Sequence, residues 1–231
     1  PDYSSAASDV YKRQYIGRAV GTINPASGSV GMAELSATGT KSSSTFLRGD
    51  NSFATISSSN ILEILSSPCN GTAVTVPSGT YTMADITSRQ RLPTRYEDIT
   101  GSSISYTPPS GTTRVIYKYI FQTQYDGTNY NGLHIRFYLD GTEVTDGRTT
   151  FYGNYLMGRF EYQYTINCNA SSASTAHGDI TSWSGAKVMK LQGREYDSGN
   201  QCKLHEAALW DGGSSAQLVV PHLEIIALKD S

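Results

Sequence analysis

Leu133-His134-Ile135-Arg136-Phe137-Tyr138-Leu139-Asp140-Gly141-Thr142-Glu143-Val144 is the stretch that decides the fold. Leu133, Ile135, Phe137 and Leu139 alternate with His134, Arg136, Tyr138 and Asp140, a period of two. Successive side chains of a strand point to opposite faces, so the pattern predicts a strand with one face in a core and the other in water. Asp140-Gly141 is a hairpin turn signal, and Glu143-Val144 begins the return.

The same period spreads outward from this stretch. Val115, Tyr117, Tyr119 and Phe121 share one face of Arg114–Thr123, with Arg114, Lys118 and Gln122 opposite beside Ile116 and Ile120. Phe160, Tyr162, Tyr164 and Ile166 alternate with Arg159, Glu161, Gln163 and Thr165. Further strands are predicted at Ala73–Val76, Thr80–Met83, Ser103–Tyr106, Lys187–Tyr196, Lys203–Trp210 and Gln217–Leu228. Turn residues punctuate them at Pro77-Ser78-Gly79, Pro108-Pro109-Ser110-Gly111, Asp126-Gly127, Asp146-Gly147, Ser198-Gly199-Asn200 and Asp211-Gly212-Gly213. About nine or ten short strands with frequent turns read as an all-β, antiparallel β-sandwich or jelly roll. No helical pattern separates the strands, which argues against a parallel α/β sheet.

Composition agrees. Of 231 residues, 22 are Gly and 16 Tyr, which favours strands and turns over helices. The net charge of −2 gives no reason to expect nucleic acid or a membrane surface as partner. No apolar run approaches the roughly 20 residues of a membrane span, and no secretion signal opens the chain. Cys69, Cys168 and Cys202 read as partly buried free thiols, with a Cys168–Cys202 bridge left open.

The part before residue 70 lacks the alternation. Residues 1–14 resemble translated adapter sequence found at the ends of metagenomic assemblies, and are set aside as non-native. Residues 15–57 are Ser/Thr/Gly/Ala-rich with sparse apolar side chains, and read as an extended fibre or linker segment. Identical chains winding together would bury what one copy cannot. Within 58–69, Ser58-Ser59-Asn60 offers a cap. Ile61, Leu62, Ile64 and Leu65 then share a helical face, and Pro68 stops the run. A short helix is expected, too short to stand alone, so these four residues are candidates for an interface with neighbouring subunits. The head domain is then 70–231.

The search for catalytic chemistry finds little. His134, His205 and His222 lie in strand patterns without metal-ligand spacing, and His177 lies in a polar loop. No nucleophile elbow, phosphate loop or dinucleotide fingerprint occurs, and no metal or cofactor is expected. Glu195, Asp197 and Glu206 are the nearest carboxylates for a glycan-cleaving pair, near Asp211. Binding loops are easier to find. Gln124–Asn131 holds Tyr125, Asp126, Asn129 and Tyr130. Tyr152, Asn154 and Tyr155 form a second cluster. Asn167–Ser184 holds His177, Asp179 and Trp183, with a Ser/Ala-rich tip that suggests mobility. Tyr rings stack on sugar faces while Asp and Asn bond hydroxyls; packing is the alternative use of each cluster.

Two groups of segments carry a family resemblance. Gly39-Thr40-Lys41-Ser42-Ser43-Ser44-Thr45-Phe46-Leu47-Arg48-Gly49-Asp50-Asn51-Ser52-Phe53-Ala54 resembles an element common in bacteriophage tail fibres, where it precedes a host-contacting head. Its Arg48-Gly49-Asp50 reads as a turn with a solvated ion pair. The segments GTAVTVPSGTYTM (71–83), GSSISYTPPSGTTRVIYKYIFQ (101–122), LHIRFYLDGTEVT (133–145), VMKLQGREY (188–196) and CKLHEAALWDG (202–212) resemble phage fibre heads of the complement/tumour-necrosis-factor-like jelly-roll type. The resemblance implies a C-terminal part of a tail fibre, located in the virion and assembled in the bacterial cytoplasm. It further implies a homotrimer that binds a host surface glycan or protein and joins other virion proteins on its N-terminal side. Two other readings are a virion decoration protein that binds only virion components, and a polysaccharide depolymerase.

Overall fold

The structure is a computed structural model, and it describes residues 38–55, 60–126, 130–154, 158–196, 198, 201–208 and 215–230. The chain divides into two units, residues 1–58 and 59–231. In the first unit, β1 (Thr45–Leu47) pairs antiparallel with β2 (Phe53–Thr55). The described part of the expected extended segment is therefore a hairpin. Its turn is local chemistry: the Asp50 carboxylate accepts from the Ser52 amide at 3.1 Å and the Ser52 hydroxyl at 2.6 Å, and Asn51 takes φ +60°. Arg48 and Asp50 form a solvated pair at 4.0 Å. Residues 1–14 and the rest of the fibre segment lie outside the described residues.

The second unit holds β3 (Ile61–Pro68), β4 (Ala73–Val76), β5 (Gly79–Thr82), β6 (Gln90–Arg91), β7 (Glu97–Asp98) and β8 (Ile104–Tyr106). The long strands follow as β9 (Arg114–Asp126), β10 (Tyr130–Leu139), β11 (Thr142–Asn154), β12 (Gly158–Asn167) and β13 (Lys187–Glu195). β14 (Gln201–Leu204), β15 (Glu206–Ala207), β16 (Gln217–Leu218) and β17 (His222–Leu228) complete it. One sheet runs β3-β17-β9-β12, with β14 and β6 continuing beside the end of β9. The other runs β11-β10-β13, with β7 and β8 on the far side of β13. All these pairings are antiparallel, and the two sheets form a β-sandwich.

The alternation predicted for β9 and β10 is the core. Val115, Tyr117, Tyr119 and Phe121 of one sheet and Leu133, Ile135, Phe137 and Leu139 of the other are all buried. Tyr117 and Phe137 meet across the layer with ring centroids 5.3 Å apart. Burying so many tyrosines requires acceptors for their hydroxyls. Tyr117 donates to the Ser102 carbonyl at 2.6 Å, Tyr119 to Thr100 at 2.6 Å and Tyr162 to Gly147 at 2.8 Å.

Residues 61–68 are strand β3, which corrects the expected helix. β3 pairs along its length with β17, and the register skips at Leu62, a bulge between the Glu63 and Ile61 pairings. The four apolar residues are split between the two faces of this strand, and their spacing imitates a helical face. A neighbouring strand supplies hydrogen bonds along the whole segment, and Ile61 and Ile64 are β-branched, which suits a strand. Leu65 consequently points into the core at 0% exposure, while Ile61 and Ile64 stay outside at 47% and 49%. Glu63 is buried beside Leu65 and fully engaged. It accepts from Tyr106 Oη at 2.8 Å, Ser78 Oγ at 2.7 Å and the Ser78 amide at 2.7 Å. The sandwich thus includes 61–68 and does not begin at residue 70.

Candidate functional site

Segments far apart in sequence meet where the 168–186 loop crosses the β10–β11 hairpin. The composition of this loop suggests a mobile tip, but backbone bonds pin it. Ser174 and Asp179 exchange bonds of 3.0 and 2.9 Å, and the Ile180 amide donates to Asn167 at 2.9 Å. The Asp146 amide of β11 donates to Ala176 at 3.0 Å, and Tyr164 Oη donates to the His177 carbonyl at 2.7 Å. His177 Nδ1 and the Asp146 carboxylate close the clamp. Gly178 takes φ +69° beneath it, with its missing side chain facing Val144. A β-carbon there would lie 3.2 Å from both Val144 methyls.

The clamped loop encloses a cleft of about 220 Å³ lined by Leu139, Asp140, Thr142, Val144, Ser174, Thr175, Asp179, Ile180 and Lys187, among others. Its floor is apolar. Its rim carries two carboxylates, one ammonium and three hydroxyls. Lys187 Nζ reaches Asp140 at 3.1 Å. Such a lining can hold a ligand with one apolar surface and several hydroxyl or amine groups.

The sequence candidates fall differently. Asp179 lines the cleft, and His177 clamps the loop that forms it. Trp183 turns inward: it packs edge-on against Tyr106 at 6.3 Å, and its Nε1 is buried without a partner. Tyr152 stands on the outer face of β11, 62% exposed. Tyr125 and Asp126 end β9, Tyr130 opens β10 and Asn154 ends β11; their side chains lie outside the described residues, as do Asn129 and Tyr155. Of the four interface candidates, Ile61 and Ile64 are exposed, Leu62 is half-buried and Leu65 is core. Asp140 and Lys187 are cleft residues that sequence reading missed. Asp140 reads locally as a turn residue and Lys187 as the start of a strand, so neither signals a cleft.

Two of the carboxylates weighed for glycan cleavage are buried and bonded to the fold. Glu195 is 5% exposed and accepts from the Cys202 amide at 3.3 Å. Glu206 is 4% exposed and pairs with Arg89 at 3.0 Å. Asp197 lies outside the described residues. The cysteines are free and buried. Burial pushes the Cys69 thiol up to about 11 and those of Cys168 and Cys202 up to about 12.

No protein-family model matches the chain, and no curated protein matches it. Among solved structures, the chain is similar to one described as the structure of infectious bursal disease virus Gx strain. The identity is 15%, with 67% of this chain and 39% of that chain covered and a TM-score of 0.22. The chain therefore spans less than half the length of that structure.

Proposed function

We propose that this chain is the C-terminal part of a bacteriophage tail fibre, whose sandwich is a jelly-roll head that binds a receptor on the host surface. The observation that carries the reading is the cleft. It is an amphipathic recess built from a clamped loop on a rigid scaffold, with two carboxylates, one ammonium and three hydroxyls in its lining. Strand order supports the jelly roll. Counting β3, β8, β9, β10, β11, β12, β13 and β17 in chain order, neighbours run first-eighth-third-sixth in one sheet and second-seventh-fourth-fifth in the other.

The outer face of the first sheet supports a homotrimer. Ile64 of β3, Ile226 of β17 and Ile116 of β9 are register partners, so they form an apolar row across three strands. The next outward row along β17 is an ion pair, Lys118 to Glu224 at 3.2 Å. An apolar row beside a fixed charge pair suits contact with copies of the same surface. Three weak receptor sites on one fibre then act together.

The test is retention of the labelled full chain on an array of bacterial surface polysaccharides, lipopolysaccharides and teichoic acids. Retention on one class, reduced roughly tenfold by Asp179→Asn combined with Lys187→Met, is the expected result. Failure to bind any surface component, with binding to tail proteins instead, would move the chain to the decoration class.

A further inference from the structure

We propose a second contact site: Tyr152 and Tyr196, exposed on either side of Gly132, form an aromatic surface on the outer face of the second sheet that binds the apolar face of a pyranose ring. The inference takes its biological setting from the adhesin reading, while its chemistry stands on the residues alone.

Gly132 sits mid-sheet in β10, directly opposite Tyr152 of β11. On its other side Leu133 pairs with Glu195 of β13, which brings the next residue, Tyr196, beside Gly132. The row across the sheet is therefore Tyr-Gly-Tyr. A β-carbon at 132 would crowd Tyr196 Cβ at 3.2 Å and touch Tyr152 Cδ2 at 3.5 Å and His134 Nε2 at 3.7 Å. Glycine weakens a strand, and its use in a strand interior marks a close approach. Here the absence of a side chain leaves the strand open between the two tyrosines.

Those two rings are also the most exposed aromatic side chains among the described residues, at 62% for Tyr152 and 57% for Tyr196. His134 extends the surface: its ring stacks with Tyr196 at 6.2 Å and 27°. Thr150 holds His134 Nδ1 at 3.1 Å. Burial and then the neighbouring Arg194 lower the proton affinity of this imidazole. The row behind the tyrosines is Thr150-His134-Arg194, which sets hydrogen-bonding groups along one side of the aromatic surface. An aromatic surface with a polar rim matches a sugar ring, whose C–H groups lie on one face and whose hydroxyls point outward.

The experiment titrates the full chain, labelled with ¹³C in its tyrosine rings, with methyl β-D-glucopyranoside and methyl β-D-galactopyranoside. Saturable shifts confined to Tyr152 and Tyr196 are expected with at least one of them. Tyr152→Ala or Tyr196→Ala should weaken the response roughly tenfold. Both positions are exposed, so the variants should fold. Unmoved Tyr152 and Tyr196 resonances would overturn the platform, even where the chain adheres to cells. Shifted resonances without retention on any bacterial surface glycan would keep the platform and refute the adhesin.

Discussion

At the scale of the residue, buried polar groups decide how this sandwich responds to its surroundings. His205 is 0% exposed between β14 and β15, with a left-handed backbone at φ +63°. Its Nε2 lies 3.1 Å from both the carbonyl and the hydroxyl of Thr100. Burial lowers its pKa from the ordinary 6.5 to about 4, because a charged imidazole there would lose its water. Above pH 6.5 both the folded and the unfolded chain carry neutral His205, and stability is whole. As pH falls from 6.5 towards 4 the unfolded chain takes a proton that the folded one refuses, and about 3 kcal/mol is lost across that window. His134 adds in the same direction. Urea unfolding between pH 7 and 4 should show this slope. His205→Asn, which tolerates the left-handed backbone and cannot titrate, should flatten most of it. An unchanged slope in the variant would remove His205 from the account.

At the scale of the element, β3 teaches most. The spacing of Ile61, Leu62, Ile64 and Leu65 fits a helix as well as a strand, since short apolar runs are ambiguous by period alone. The bulge at Leu62 and pairing with β17, more than 150 residues away, resolve the ambiguity, and neither is visible locally. β9, β10 and β12 were legible because one of their faces is wet, so buried and exposed side chains alternate. The two-residue strands β6 and β7 were not legible, being too short to show a period. The candidate site divides in the same way. Asp179 announces itself in a polar loop, whereas Asp140, Lys187 and Tyr196 acquire meaning only when β10, β11 and β13 lie side by side. The assignment of β3 has a direct consequence. Leu65→Ala should cost about 2–5 kcal/mol through its cavity, while Ile64→Ala should cost about 1 kcal/mol or less in an isolated chain. Equal losses in chemical denaturation would contradict the inward and outward faces assigned here.

At the scale of the whole molecule, the two outer faces of the sandwich differ. The first sheet carries the isoleucine row of Ile64, Ile226 and Ile116, and the second carries Tyr152, Tyr196 and a set of arginines. On the second sheet Arg136 lies 3.8 Å over the Tyr96 ring, with Arg194 on the same ring at 5.6 Å. A face with an apolar row suits self-association, and an aromatic, hydrogen-bonding face suits a soluble ligand. Receptor binding by a fibre head depends on this division, because avidity requires several copies with their ligand faces free. The measurement that tests it most directly is the mass of the full chain in solution by multi-angle light scattering. The account predicts three times the 25.0 kDa of one chain, falling to a single chain with Ile64→Arg. A monomer at micromolar concentration in the unsubstituted protein would contradict it.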